Sequence, residues 1–518
     1  MRLTIWAALL AAALWPRAAS AEWLEASSDH FVIYADDSER DIQRFSEQLE
    51  RFHAGMTLLT QSSAPKPSPS NRVTVYVVRN DNAVRELHGG DNKFVSGFYL
   101  PRAGGSLAIV PRVDAQSGRE TDFSMIVLLH EYAHHFLISS SSMALPRWLS
   151  EGAAEFFASA SFERDGGLMM GRPAAHRAGE LFFGIDVSVA DLLDPTEYEK
   201  RSKRNYDAFY GKSWLLYHFL TFEDAREGQL QRYLKLLVEG KSMRDAATAA
   251  FGDFGVLEKD LDRYLQRRKL TALRLPAERL QTGPIGVRKL SAGEAAIMPV
   301  RIRSRVGVDE EMAKSLLEKA REIAPRFPGD AGVLSVLAEA EYDAGNDKEA
   351  IAAADAALAI DPARVNAYVQ KGYALFSQAQ DADPKDAAAA YKRARAPFLA
   401  LNKLENDHPL PLMYYYRSFA EQGGQPPEVA ISGLVRATEL APFDLGLRMN
   451  TATALIQAGR QAEARLALEP VAFNPHGGEM AQAARNLLDR LGTEPGWKGE
   501  NMGAVVAASG AGTEEGAR

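Results

Sequence analysis

Within the 518-residue sequence, the run Val127 to Phe136 sets His130 and His134 four residues apart, with Glu131 beside the first, in an apolar, helix-forming context. Residues i and i+4 lie about one turn apart on one helix face, so both imidazoles reach a single ion. Glu131 stands beside that face, where it addresses a water on the ion rather than the ion itself. Zinc lowers the pKa of such a water towards neutrality, and the glutamate takes its proton. The alternative for so short a motif is two half-buried histidines with satisfied hydrogen bonds.

A catalytic zinc with one open position needs a third protein ligand. One class uses a histidine six residues past the second, after a glycine at the third; here those positions are Ser140 and Leu137. The other class uses a glutamate on a following helix, and Pro146 to Phe157 supplies one. Pro146 fits a first helical turn. Glu151 and Glu155 are again i and i+4 and share a face. Glu151 can bind zinc, while Glu155 can accept a hydrogen bond from a ligand histidine and orient it. The alternative is a pair of solvated carboxylates on an exposed face.

His-Glu-x-x-His followed by Trp148-Leu149-x-Glu151-Gly152 resembles gluzincin zinc metallopeptidases, especially those similar to aminopeptidase N and the thermolysin-like enzymes. The resemblance implies an α+β zincin-like peptidase domain, with a mixed β-sheet and then a helical active-site lobe, and one Zn2+ per chain. It makes Glu151 the third ligand and gives Glu155 the histidine-orienting role. The histidine-to-glutamate gap is slightly shorter than in aminopeptidase N, which implies a different subfamily and a tighter helix-loop-helix. Phe209 to Trp214 is similar to the Tyr-x-Lys-Gly stretch of that family, with Ser213 in place of the glycine. This implies Tyr210 as the donor to a tetrahedral oxyanion, with Tyr206 as substitute, against the alternative of a packed core aromatic. In gluzincins an edge strand before the zinc helix pairs with peptide substrate, and Leu107 to Val110 occupies that place. The Gly-x-Met-Glu-Asn exopeptidase signature is absent, so aminopeptidase activity is not implied. His135 is expected to pack or face solvent beside the motif. His218 is expected as a satisfied core histidine and Trp148 as core.

Elements of two kinds must carry these residues. His30 to Tyr34 and Val73 to Val78 have strand character, Phe45, Leu49, Phe52, Met56 and Leu59 mark one face of a helix, and Gly97 to Val110 has the pattern of a hairpin. From Asp122 to about Lys269 the pattern is helical. Residues 271–305, with Pro276, Pro284 and Val300-Arg301-Ile302, are expected as a linker or small β element.

From about 306 the chain is Ala-rich and resembles the tetratricopeptide repeat, a helix pair of about 34 residues. Ala350, Ala357 and Pro362 have the spacing of a second helix and its end, repeated at Ala430, Ala437, Pro442 and at Ala313, Ala320, Pro325. Gly372 sits where a first helix wants a small residue. The units are uneven, with an insertion at 377–408. One repeat cannot bury its own apolar face, so several must stack, and their concave side offers a peptide-binding surface.

The expected organisation is a signal peptide at 1–21, an α/β part at 22–115, a helical zinc-binding part at 116–270, the linker at 271–305, repeats at 306–492 and a disordered tail at 493–518. The leader rests on Arg2, a short apolar run and Ala19-Ser20-Ala21 as a cleavage site before Glu22; the alternative is an uncleaved anchor. With no cysteine, metal must be held by histidine and carboxylate. The leader directs the protein to a periplasm or outside a bacterial cell, and no later stretch is long and apolar enough to span a membrane. A net charge of −8 argues against nucleic acid as the main partner, since that needs a concentrated basic face, and Lys200, Arg201, Lys203 and Arg204 fit a solvated loop. Peptide-bond hydrolysis, with the repeats recruiting a protein substrate or partner, is the function these features imply. A non-catalytic scaffold with a silent peptidase-like domain and a zinc hydrolase of cell-wall peptides stand beside it.

Overall fold

The computed structural model describes residues 22–61, 66–90, 95–112, 122–141, 143–194, 198, 207–474 and 477–503. The expected leader, Tyr206, the basic cluster at 200–204 and the end of the chain beyond 503 lie outside them.

The chain opens with β1 (Trp23–Ser27), β2 (Phe31–Asp36), α1 (Glu39–Thr60), β3 (Val73–Val78), α2 (Asp81–His88), β4 (Phe98–Leu100) and β5 (Leu107–Pro111). Next come α3 (Phe123–Ser140), α4 (Arg147–Ala158), β6 (Ser161–Phe162), β7 (Leu168–Met170), α5 (Ala178–Phe183), α6 (Val189–Leu193) and α7 (Phe209–Phe222). Strands β8 (Leu273–Leu275) and β9 (Gly286–Lys289) complete two sheets, ordered β4-β5-β3-β2-β1-β9 and β6-β7-β8. In the larger sheet β2, β3 and β5 run parallel, while β1, β4 and β9 pair antiparallel to their neighbours.

Alternation of side chains divides that sheet between two cores. Phe31, Ile33, Val73, Val75, Ala108 and Val110 pack on the side of α1 and α3. Tyr34, Tyr76, Val78, Leu107 and Ile109 pack on the other side, with Val84 of α2 and with Met298 and Ile302. Ser38 caps α1, and Ile42, Phe45, Leu49, Phe52 and Met56 are its buried stripe.

The stretch 271–305, expected as a linker or small β element, carries the short strands β8 and β9 and then a helix. Val300, Arg301 and Ile302 lie in a helix, Ala292–Val306, rather than in a β piece. That helix is buried on two sides: Met298 and Ile302 close the sheet core, while Ile297 and Val300 belong to the first core of the helical array. Two-sided burial hides the single apolar stripe by which a helix is recognised.

A solenoid-like array of helices follows, from Glu310–Ile323 to Glu479–Thr493. Ala313, Ala320, Ala350, Ala357, Ala430 and Ala437 are buried where the helices cross. A Cβ on Gly372 would sit 2.4 Å from the Phe398 ring, so a small residue is required there. The tail expected to be disordered from 493 is ordered in its first part, because Trp497 is only 3% exposed and closes the last core.

Candidate metal centre

Helices α3 and α4 create the centre by crossing. Asp122 caps α3 by accepting from the Ser124 amide, and its apolar residues Leu128, Leu129, Ala133 and Phe136 are buried. Helix α4 begins after Pro146 and is buried along nearly its whole length. It must lie against α7, because a Cβ on Gly152 would stand 2.4 Å from the Ser213 carbonyl oxygen. The glycine after Glu151 is thus a packing requirement.

The crossing brings His130, His134 and Glu151 together in the interior. The two Nε2 atoms are 3.1 Å apart, and each lies 3.3 Å from Glu151 Oε2. Ligand atoms around a tetrahedral zinc, at about 2.0–2.1 Å from it, are spaced by about 3.3–3.4 Å. The other ring nitrogens have their own partners: His130 Nδ1 lies 3.1 Å from Glu155 Oε1, and His134 Nδ1 lies 3.2 Å from Ser150 Oγ. Both rings are therefore held with Nε2 facing inward. Glu151 is 0% exposed, and its Oε1 is buried without a hydrogen-bond partner. A buried carboxylate oxygen with no donor, beside two inward imidazole nitrogens, fits a cation held among them.

The electrostatics agree. Burial opposes a charged His130, but Glu155 and Glu151 outweigh it and push its pKa up to about 10. Burial likewise opposes an ionised Glu151, and hydrogen bonding to His130 and His134 holds it well below the usual carboxylate range. The two buried carboxylates thus favour positive charge at this point, which a proton on His130 supplies as well as a cation.

Glu155 is buried and does more than the sequence indicated. It accepts from His176 Nε2 at 2.6 Å and from Arg177 at 2.6 and 2.9 Å while facing His130. Arg177 also binds Glu180 at 2.7 Å, and Glu180 accepts from the Gly211 amide at the start of α7. His176, Arg177, Glu180 and Ser150 were not foreseen, since nothing in their spacing ties them to the metal motif. The solvated-carboxylate alternative for Glu151 and Glu155 does not describe this helix.

Tyr210 lies beneath Arg177, whose Cζ is 4.8 Å from the ring centroid. Burial, and next the charge of Glu151, push its phenol up to about 12 against the pull of Arg147 and Arg177. It stays neutral at ordinary pH and keeps a proton to donate. Glu131 is half-buried, and its charge adds to burial in raising Tyr99 of β4. Tyr99 Oη is 2.6 Å from His135 Nδ1, and His135 packs on Phe443 of the array at 4.3 Å between ring centroids. His218 contacts Tyr264 Oη at 2.8 Å and the carbonyls of Gly171 and Thr271 at 3.0 Å, so it is a satisfied core histidine. Trp148 is core.

One expectation is corrected. Leu107 to Val110 is no edge: β5 is buried between β3 and β4. The edge strand beside α3 is β4, which was assigned only as the partner arm of the hairpin. The turn between them folds β4 outside β5.

No known protein family matches the chain, and no curated protein matches it. Among solved structures, a thermophilic TPR protein of Thermus thermophilus aligns at 16% identity over 38% of this chain and 99% of its own, with a TM-score of 0.33. A MamA RS-1 double mutant aligns at 16% identity over 33% and 90%, with a TM-score of 0.26. No helix of the described residues is long and apolar enough to cross a membrane.

Proposed function

We propose that the protein is an exported zinc-dependent metallopeptidase. The observation that carries this reading is the buried triangle of His130 Nε2, His134 Nε2 and Glu151 Oε2, with ring orientation enforced by Glu155 and Ser150. His130, His134 and Glu151 would hold the ion. Bound zinc would act as a Lewis acid and lower the pKa of water towards neutrality. Glu131, next to His130 and half-buried, would take a proton from the attacking water and pass it to the departing amine. Tyr210 keeps a neutral phenol, and one aimed donor to an oxyanion is worth about 3 kcal/mol. The edge strand β4, near the charge of Glu131, is where an extended peptide would add as a further strand.

A second reading is a binding scaffold whose metal centre does not turn over substrate. It is supported by the extent of the helical array, which runs from Glu310 to Thr493 and gives a large surface for a protein partner.

Metal analysis of the purified protein, wild type beside Glu151→Ala, tests the first reading. About one zinc per wild-type chain is expected, and little in the folded variant. Cleavage of mixed peptides, and of peptidoglycan in a parallel arm, should then be lost in Glu131→Gln. A wild-type protein that takes up no added zinc sinks the enzyme reading. A zinc-loaded protein without cleavage, whose cellular role survives Glu131→Gln but not deletion of the repeats, favours the scaffold.

A further inference from the structure

A second polar space lies on the far side of the sheet from the metal centre. It is a cleft of about 580 Å³ between β2 and β3, the helix Ala292–Val306, and the helices Ala331–Asp343 and Val365–Gln380. That volume is within the range of small-molecule sites, roughly 300–1,000 Å³.

Its walls carry more positive charge than they neutralise. Arg305 pairs with Glu339 at 3.1 Å, and Arg364 reaches Glu294 only at 3.8 Å. Glu294 is already engaged by Arg288 at 2.8 Å. Arg301 donates to Tyr34 Oη at 3.1 Å and lies over that ring at 4.4 Å. Arg102 donates to the carbonyls of Arg305 and Val306. Among the described residues, neither Arg301 nor Arg102 forms an ion pair with a carboxylate.

Two of these guanidinium groups are disfavoured there, whereas Arg301 and Arg305 are held above their ordinary values with the charge of Glu339 contributing. Burial first, and then the charge of Arg301, hold Arg364 below its ordinary pKa. Burial and then Arg305 do the same to Arg102. Like charges withdrawn from water are costly unless a counter-charge joins them. Guanidinium groups also match the oxygens of phosphate and carboxylate in pairs.

We propose that this cleft binds a small organic anion bearing a phosphate or carboxylate group, held between Arg301 and Arg364 with Arg102 and Arg305 at its border. The site draws on the sheet, the bridging helix and the repeats together, so an occupant would tie the two halves of the molecule. It is independent of the zinc reading.

The test is calorimetric titration of the full-length protein with inorganic phosphate and, separately, succinate, each against sodium chloride of equal ionic strength. One saturable site for at least one probe is expected. Binding should be at least tenfold weaker in Arg301→Gln and in Arg364→Gln, and unchanged in Glu151→Ala. Preference for phosphate would indicate a phosphorylated ligand, and preference for succinate a carboxylate. Absence of saturable binding in the wild type overturns the proposal, whether or not the variants fold. So does binding that survives both arginine substitutions, or binding abolished by Glu151→Ala, which would place the anion at the metal centre.

Discussion

Gly152 stands between the two glutamates of α4, where that helix meets α7. A methyl group there would lie 2.4 Å from the Ser213 carbonyl oxygen, 2.8 Å from its carbon and 3.2 Å from Tyr217 Cβ. The Ser213 atoms are backbone inside α7 and cannot rotate aside. Lengthening the closest contact to about 3.0–3.4 Å requires the helices to part by roughly 0.6–1.0 Å. Overpacking of this kind costs about 1–3 kcal/mol. Alanine's better helix propensity returns about 1 kcal/mol, so Gly152→Ala should be destabilised by up to about 2 kcal/mol. The larger effect falls on the neighbouring residue. Glu151 moves with α4, whereas metal sites tolerate departures of only about 0.2 Å. The variant should therefore fold, melt several degrees lower and retain little zinc after dialysis. Circular dichroism melts and metal analysis of the same samples measure both. A Gly152→Ala protein more stable than wild type, with its full zinc, would refute both the α4–α7 contact and the packing role of this glycine.

Two further outcomes concern pH. His53 and His135 are each pushed down to about 3, by burial first and then by the charge of His30. A base with a depressed folded pKa contributes stability above its unfolded value, near 6.5, that is lost as pH falls towards 3. Together they should remove about 2–3 kcal/mol per pH unit below 6.5. Urea midpoints between pH 7 and 5 should fall accordingly and flatten in His53→Leu, and a flat wild-type profile would contradict the burial of these rings. Asp343 is pushed up to about 6, chiefly by burial, and bonds Ser304. Stability from a raised carboxyl is present below about pH 4 and lost as pH rises through 6. Asp343→Asn should therefore exceed wild type by about 1–2 kcal/mol at pH 8 and converge with it near pH 4, and equal midpoints at both pH values would remove the argument.

The parts legible in the sequence are those where one periodicity acts alone. The stripe of α1, the strand β3 and the alanines of the repeats each face a single core, and their spacing shows it. The two faces that meet at the candidate centre are legible for the same reason, since i and i+4 fix a face, while the choice of Glu151 over Glu155 comes from the resemblance to gluzincins. The helix Ala292–Val306 was illegible because it serves two cores, and its Arg301, Arg303 and Arg305 interrupt the apolar pattern. The edge position of β4 depends on sheet order, which spacing does not encode. His176, Arg177 and Ser150 support Glu155 and His134 through contacts that only the crossing of chain segments creates.

The placement of the array bears on what it does for the candidate site. Ser70 donates its amide and hydroxyl to Glu405 at 2.8 and 2.7 Å, and Asn71 donates to the Leu440 carbonyl at 2.8 Å. The Ala103 amide donates to Asp444 at 2.9 Å, and Gly104, with φ of 78°, fits under Leu410 where a Cβ would come within 2.8 Å. The Ser70 and Asn71 contacts hold the loop before β3, and those of Ala103 and Gly104 grip the turn that joins β4 to β5. Strand β4 in turn carries Tyr99, bonded to His135, the neighbour of His134. Displacing the repeats would thus shift the edge strand and the α3 face together. The helices Ala331–Asp343 and Val365–Gln380 line the cleft opposite the sheet, so the array meets the rest of the protein through the surface that would otherwise face a partner. Through the Ala103 and Gly104 contacts the array supports the turn beside the edge strand β4.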